Sequence, residues 1–362
     1  MGCERLQTAA RAVHSRFQET WNFDGRDFSK PSSDEVLRQL VSDTPADCRE
    51  RLEKEFFDCG PIAPLLERQD LQEIIVNGPR DIWFEAGGRF EKLPDGFLTE
   101  STFRGFIDRL TTEAGLKVDL AQPFADGRWR EFRVHLGRAP LTDCEYHLTL
   151  RRVGNQKWNL PTLRERGWCG DRELEVLKNL ISSRVNLLMI GPTGCGKTTV
   201  LSAMLAELPE RERVVILEDT DELARPNSAS TKMLTRAFSA GALPEVGLTE
   251  LVRQSLRMRP QRLVMGEVRG PEAKDLLLAL ATGHGGSLGT LHAENPRQAL
   301  LRLEMLVQLG APQWSAQTVR QLMQFSVGAL VVCGNENGHR RLLGIHKVAA
   351  LESFGFLLEP LL

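Results

Sequence analysis

The spacing of apolar residues changes three times along the chain. Up to about residue 68 they recur at helical intervals, over Asp34 to Leu40 and over Asp47 to Phe57, with Ser33 and Asp47 placed as caps. A break is expected around Pro31. From about 69 the rhythm shortens. Glu73 to Val76 predicts a strand, Asn77-Gly78-Pro79 a turn, Asp81 to Glu85 a second strand, Gly87-Gly88 a tight turn and Arg89 to Leu93 a third strand. Thr99 to Ala114 predicts a helix, and Phe132 to Leu136 and Tyr146 to Arg151 two further strands. Between 153 and 171 the residues Gly154, Asn155, Pro161, Gly167 and Gly170 mark a linker.

Beyond 171, strands and helices alternate. Strands are expected at Val185 to Ile190, Val214 to Leu217, Arg262 to Met265, Ser287 to Leu291 and Ala329 to Cys333. Helices are expected at Thr198 to Glu207, Leu248 to Met258, Pro271 to Ala281 and Pro296 to Leu309. Short apolar runs without alternation suit strands buried on both faces of a mostly parallel sheet. The expected fold class is α/β. A helical segment (1–68) and a smaller α+β domain (69–152) precede a linker (153–171) and a larger domain with a mostly parallel sheet (172–362).

One segment of the larger domain carries chemistry. Gly191-Pro192-Thr193-Gly194-Cys195-Gly196-Lys197-Thr198 fits G-x-x-x-x-G-K-[ST] in full, between an expected strand and an expected helix. Glycines let successive backbone N–H groups converge on phosphate, and a helix N-terminus adds positive partial charge. Lys197 can bridge β and γ oxygens, and the Thr198 hydroxyl can bind Mg²⁺. With Thr199, these residues are the expected nucleotide cradle. The Cys195 backbone N–H matters there more than its thiol, although a thiol at a helix N-terminus can have a depressed pKa.

Hydrolysis needs acidic groups as well. Glu218 and Glu267 each follow closely on a buried-looking apolar run, where ligands of an open α/β sheet sit. Asp221 and Glu222 follow Glu218 and read equally well as a solvated helix cap. His284 and His292 flank a short strand in a Gly-rich segment, too few for a metal site but placed for the γ-phosphate region or a neighbouring subunit. Arg253, Arg257, Arg259 and Arg262 read mostly as a solvated helix face.

Composition narrows the alternatives. The chain has 362 residues, with Lys+Arg 46 against Asp+Glu 48 and a net charge of −2. No global basic field exists to hold nucleic acid, and the single tyrosine, Tyr146, excludes a broad stacking platform. Seven cysteines without a CxxC pair argue against a zinc ribbon and a disulfide framework, and for a reducing compartment. No signal-peptide pattern and no membrane-length apolar run is present, so a cytoplasmic protein with at most peripheral membrane contact is expected.

From about residue 49 to 333 the chain resembles the ATPases of type II and type IV secretion and of type IV pili. Leu217-Glu218-Asp219-Thr220-Asp221-Glu222-Leu223 resembles their aspartate box. Met265-Gly266-Glu267-Val268-Arg269-Gly270 resembles their Walker B segment, and Thr282 through Ala293 their histidine box. Glu73 to Pro79, Gly60 to Leu66 and Leu291 to Arg297 are similar to the CpaF-type ATPases of tight-adherence (Flp) pili. No tetracysteine zinc motif of the type II and pilus-extension members is present. Type IV secretion traffic ATPases are the nearest rival.

The resemblance implies a RecA-like P-loop domain, ATP and Mg²⁺ as cofactors, a homohexameric ring and an inner-membrane platform protein as partner, with peripheral membrane association through it. It implies Lys197 and Thr198 for phosphate and metal, and Glu267, with Glu218 competing, as the carboxylate that activates water. His292 and His284 would then sense the γ-phosphate, and Arg128, Arg133 and Arg151 would clamp phosphates from the smaller domain. Arg130-Glu131 departs from the Asp-Gly-like turn expected there. An ATP-binding scaffold with little turnover is the non-enzymatic alternative.

Overall fold

The computed structural model describes residues 2–20, 33–153, 158–236, 244–336, 338–352 and 355–362. The break expected at Pro31, and Gly154 and Asn155 of the expected linker, lie outside them. The chain divides into two compact units, residues 1–154 and 155–362.

The first unit opens with helices α1 (Gly2–Thr20), α2 (Ser33–Ser42) and α3 (Ala46–Phe57). They bury Ala10, Val13, Leu40, Val41, Cys48, Leu52 and Phe56 together with Leu98. A 3₁₀ turn over Gly60–Ile62 and the single turn α4 (Ala63–Leu66) lead into the sheet. There follow β1 (Leu71–Gly78), β2 (Asp81–Ala86), β3 (Arg89–Lys92), α5 (Glu100–Ala114), β4 (Phe124–Trp129), β5 (Phe132–Arg138) and β6 (Tyr146–Arg152). The strand order is β3-β2-β1-β6-β5-β4, antiparallel throughout. Alternating burial along β2 leaves one face apolar, and α5 covers it with Phe103, Phe106, Ile107 and Leu110. Thr99 caps α5 with a reciprocal box to Thr102, and Gly115 ends it at φ 64.

Strand β4 is not among the strands expected from the sequence. The turn of its hairpin lies at Arg130-Glu131, the position expected, closed by the Trp129–Phe132 pair. Arg130 takes φ 53 there, a conformation usually left to glycine or asparagine, with its guanidinium 4.4 Å from the centre of the Trp129 ring.

The second unit starts with α6 (Leu160–Glu165) and α7 (Asp171–Ser182). The expected linker is therefore partly helical. Asn159 caps α6, and Leu160, Leu163 and Trp168 enter the core of this unit. Then come β7 (Leu187–Gly191), α8 (Lys197–Leu205), β8 (Val214–Glu218), β9 (Thr231–Leu234), α9 (Leu248–Ser255), β10 (Arg262–Met265) and α10 (Glu272–Ala281). They are followed by β11 (Leu288–His292), α11 (Pro296–Gly310), α12 (Ala316–Ser326), β12 (Ala329–Glu336), β13 (His339–Glu352) and β14 (Gly355–Pro360). The sheet order is β14-β13-β12-β7-β11-β10-β8-β9. It is parallel from β12 to β9, with β13 and β14 antiparallel at one edge. Every residue of β7, β8 and β10 is buried, which explains their unbroken apolar runs. Helices α9 to α12 pack on one face and α6 to α8 on the other, giving two apolar layers.

Candidate functional site

The P-loop joins β7 to α8, and its backbone explains its glycines. Gly194 and Gly196 take φ 76 and 95, and Gly191 takes φ 153. A Cβ on Gly191 would lie 2.2 Å from the Cys333 carbonyl oxygen of β12. Gly196 is the N-cap of α8 and offers no side-chain cap. The first-turn N–H groups of α8 thus lack a side-chain acceptor, the arrangement that suits an anion.

Lys197 is buried, and its ammonium donates to the carbonyls of Gly191 (3.0 Å) and Pro192 (2.8 Å). It also stands 3.4 Å from Nδ1 of His292. His292 reaches the loop because the β11–β7 register sets it opposite Gly191. The Thr193 hydroxyl is 3.4 Å from the same Nδ1, and Nε2 of His292 is 3.1 Å from a Glu267 carboxylate oxygen. Two donors face Nδ1 and a carboxylate faces Nε2, so the surroundings select the neutral tautomer protonated at Nε2. Burial and the Lys197 ammonium lower the pKa of His292 against the pull of Glu267.

Glu218 ends β8 beside Gly266, whose Cβ would meet the Glu218 Cγ at 3.0 Å. One carboxyl oxygen accepts from the N–H groups of Leu223 (3.0 Å) and Glu222 (3.2 Å). The other is buried without a hydrogen bond among the described residues. Burial pushes this carboxyl up to about 7. The two acids therefore differ in kind: Glu267 is partly exposed and joined to the P-loop through His292, whereas Glu218 is deeply buried.

Around them, Asp219 pairs with Arg269 at 2.8 Å and Asp221 pairs with Lys232. Asp221 is thus half of an ion pair rather than a helix cap. Thr198 and Thr199 open the first turn of α8, partly buried. No group of three or more His, Cys, Asp or Glu side chains among the described residues forms a metal cluster. The Thr198 hydroxyl is the group here that could serve a Mg²⁺ whose other ligands would be phosphate oxygens and water.

Other expected residues fall elsewhere. His284 precedes β11 at the end opposite His292, with its Nδ1 2.9 Å from the Ala279 carbonyl oxygen. Arg262 is not on a solvated helix face. It starts β10, buried, with its guanidinium on the carbonyls of Gly286 and Ile181 and against Glu212. The Cys195 thiol points inward, nearly inaccessible. Hydrogen bonding with Cys333 and the Lys197 ammonium lower its pKa to about 6 against burial, while Cys333 is pushed up.

Within the first unit, Arg128, Arg133 and Arg151 come together. Arg133 is paired across strands with both Arg128 and Arg151, and Glu73 and Glu85 continue the row. One face of this sheet therefore carries three guanidinium groups side by side. Burial raises the Glu73 carboxyl, opposed by neighbouring Arg151.

Lys232, Arg269 and Cys333 escaped sequence reasoning. Arg269 sits in the same loop as Glu267 and was legible as its neighbour. The other two depend on strand register, which carries no local signal.

Residues 55–324 match the family of type II/IV secretion system proteins. A putative conjugal transfer protein of Mycobacterium tuberculosis is 34% identical over 302 residues, 81% of this chain and 85% of that protein. The type IV secretion system protein PtlH of Bordetella pertussis is 31% identical over 327 residues, covering 80% and 94%. Among solved structures, the ATPase DotB of Legionella pneumophila is 19% identical with a TM-score of 0.55, covering 77% of each chain. That similarity supports a fold with a smaller N-terminal domain before a RecA-like P-loop domain.

Proposed function

The chain belongs to the type II/IV secretion system protein family, the secretion ATPases, and from that premise we propose that it hydrolyses ATP with Mg²⁺ to drive a secretion or pilus machine. The observation that carries this reading is the run Lys197–His292–Glu267 at the mouth of the P-loop. Lys197 and the loop N–H groups bind the phosphates, and the Thr198 hydroxyl ligates the metal. Glu267 orients the attacking water. His292 holds Glu267 in place through Nε2 and reports through Nδ1 on the phosphate-binding lysine. Glu218, deeply buried, supports this carboxylate rather than replacing it. Arg128, Arg133 and Arg151, side by side on one sheet, would clamp phosphate charge. In this reading the domains are 69–152 and 172–362, after a helical segment over 1–68.

The proposed assembly is a homohexameric ring working on an inner-membrane platform protein, from the cytoplasmic side. No helix among the described residues is long and apolar enough to cross a membrane. The segments Glu73 to Pro79 and Leu291 to Arg297 favour tight-adherence (Flp) pilus assembly. The identity to PtlH favours a second reading, type IV secretion traffic. Deleting the gene separates the two: loss of surface pili supports the first, intact pili with lost export the second. The enzymatic claim is tested by Mg²⁺-dependent ATP hydrolysis beside Lys197→Ala. Turnover lost in the variant is expected, and equal turnover in both overturns it.

A further inference from the structure

The groups proposed for γ-phosphate chemistry all lie to one side of the P-loop strand. His292 ends β11, next to β7, and Glu267 follows β10, one strand further. A nucleotide with its terminal phosphate at His292 and Glu267 runs back along the loop and the start of α8. Its nucleoside then leaves on the other side of β7, where β12 lies.

That side is overhung by the hairpin of β12 and β13. Arg340, opposite Asn335 in the hairpin register, is exposed at its tip region. Its stem leans on the P-loop: a Cβ on Gly196 would lie 3.3 Å from the Arg340 Cδ and 4.0 Å from its Nε. Arg340 makes no ion pair among the described residues, and His339 and Arg341 flank it, exposed. A planar guanidinium stacks on a purine face and donates to sugar oxygens, whereas a lysine ammonium does neither as well.

We infer that Arg340 is a substrate-binding residue that grips the nucleoside end of ATP, its sugar and base, so that the site prefers a nucleoside triphosphate to a bare polyphosphate. This rests on the reading of the P-loop as an ATP site. It goes beyond that reading by giving the C-terminal hairpin a share in substrate selection.

The test compares the full-length protein with Arg340→Ala and Arg340→Lys, reading KM and kcat for ATP. Inhibition by inorganic tripolyphosphate, which lacks sugar and base, is read alongside. In Arg340→Ala the KM for ATP is expected to rise about tenfold, the loss of one stacked base contact, with kcat and tripolyphosphate inhibition unchanged. Arg340→Lys is expected to behave like Arg340→Ala. Equal weakening of ATP and tripolyphosphate would overturn the inference, because Arg340 would then act on the loop or through charge alone. An unchanged KM, or full rescue by lysine, would overturn it too. A wild-type protein that hydrolyses no ATP and binds neither probe would remove the ATP reading itself, and the inference with it.

Discussion

Replacing Glu218 by glutamine should make the second unit more stable at alkaline pH and nearly neutral in effect under acid. Glu218 is 3% exposed, and burial raises its pKa from 4.5 to about 7 although two backbone N–H groups donate to it. A carboxyl whose pKa rises on folding binds its proton more tightly in the folded state. Stability is then favoured below the unfolded value and lost as pH rises through the window from 4.5 to about 7. That change in proton affinity corresponds to about 3 kcal/mol above the window and under about 1 kcal/mol at pH 5. Glutamine keeps the shape and the acceptor for Leu223 and Glu222 and has no charge to desolvate. The assay is urea denaturation of both proteins at constant ionic strength from pH 5 to 8, following the second unit. Other carboxylates cancel in the difference. The two stability curves should diverge by about 2 kcal/mol between the ends of that range. Curves that stay parallel would refute the reasoning, because Glu218 would then be ionised at no cost.

Three other outcomes follow from particular contacts. Gly191→Ala should abolish nucleotide binding with the rest of the chain folded, because its Cβ would meet a β12 backbone carbonyl at 2.2 Å; retained ATP affinity by calorimetry would contradict this. Glu55, fully buried, accepts from Arg51 (2.5 Å), Leu98 N–H (2.7 Å) and Thr102 (2.5 Å), tying α3 to the start of α5. Glu55→Ala should cost the first unit about 3 kcal/mol in urea denaturation, and a loss under about 1 kcal/mol would show that the tie is weak. Because the pKa of His292 is lowered from 6.5, turnover should stay flat down to about that pH and fall below it. The acid limb should move in His292→Asn, and an unmoved limb would assign it to another group.

Much of the second unit was legible because its strands are buried on both faces and so read as unbroken apolar runs, as in Val214–Leu217 and Arg262–Met265. The P-loop was legible because its backbone requires glycine at positions that one pattern records. Less legible were elements that derive from tertiary context. β4 was hidden by Asp126-Gly127, residues of turn type that here lie in a strand. Helix α6 was hidden by the Pro and Gly residues around it, although Pro161 suits a first helical turn. Strand β13 and the edge strand β14 alternate only partly and carry exposed charge, which removes the apolar signal. In the site, Glu267 and His292 were each visible, but their 3.1 Å contact depends on the register of β10 against β11. The burial of Arg262 was hidden in the same way: its strand was expected, but the Gly286 and Ile181 carbonyls and Glu212 that hold its guanidinium come from elements that only the fold brings together.

The central claim is that Lys197 binds the phosphates and Glu267, held by His292, performs the chemistry. The most direct measurement is equilibrium ATP binding together with single-turnover hydrolysis, in the wild type, Lys197→Ala and Glu267→Gln. The account predicts that Lys197→Ala loses both, whereas Glu267→Gln keeps ATP affinity within a few-fold and loses roughly a hundredfold or more in hydrolysis rate. Hydrolysis undiminished in Glu267→Gln would contradict it and turn attention to Glu218.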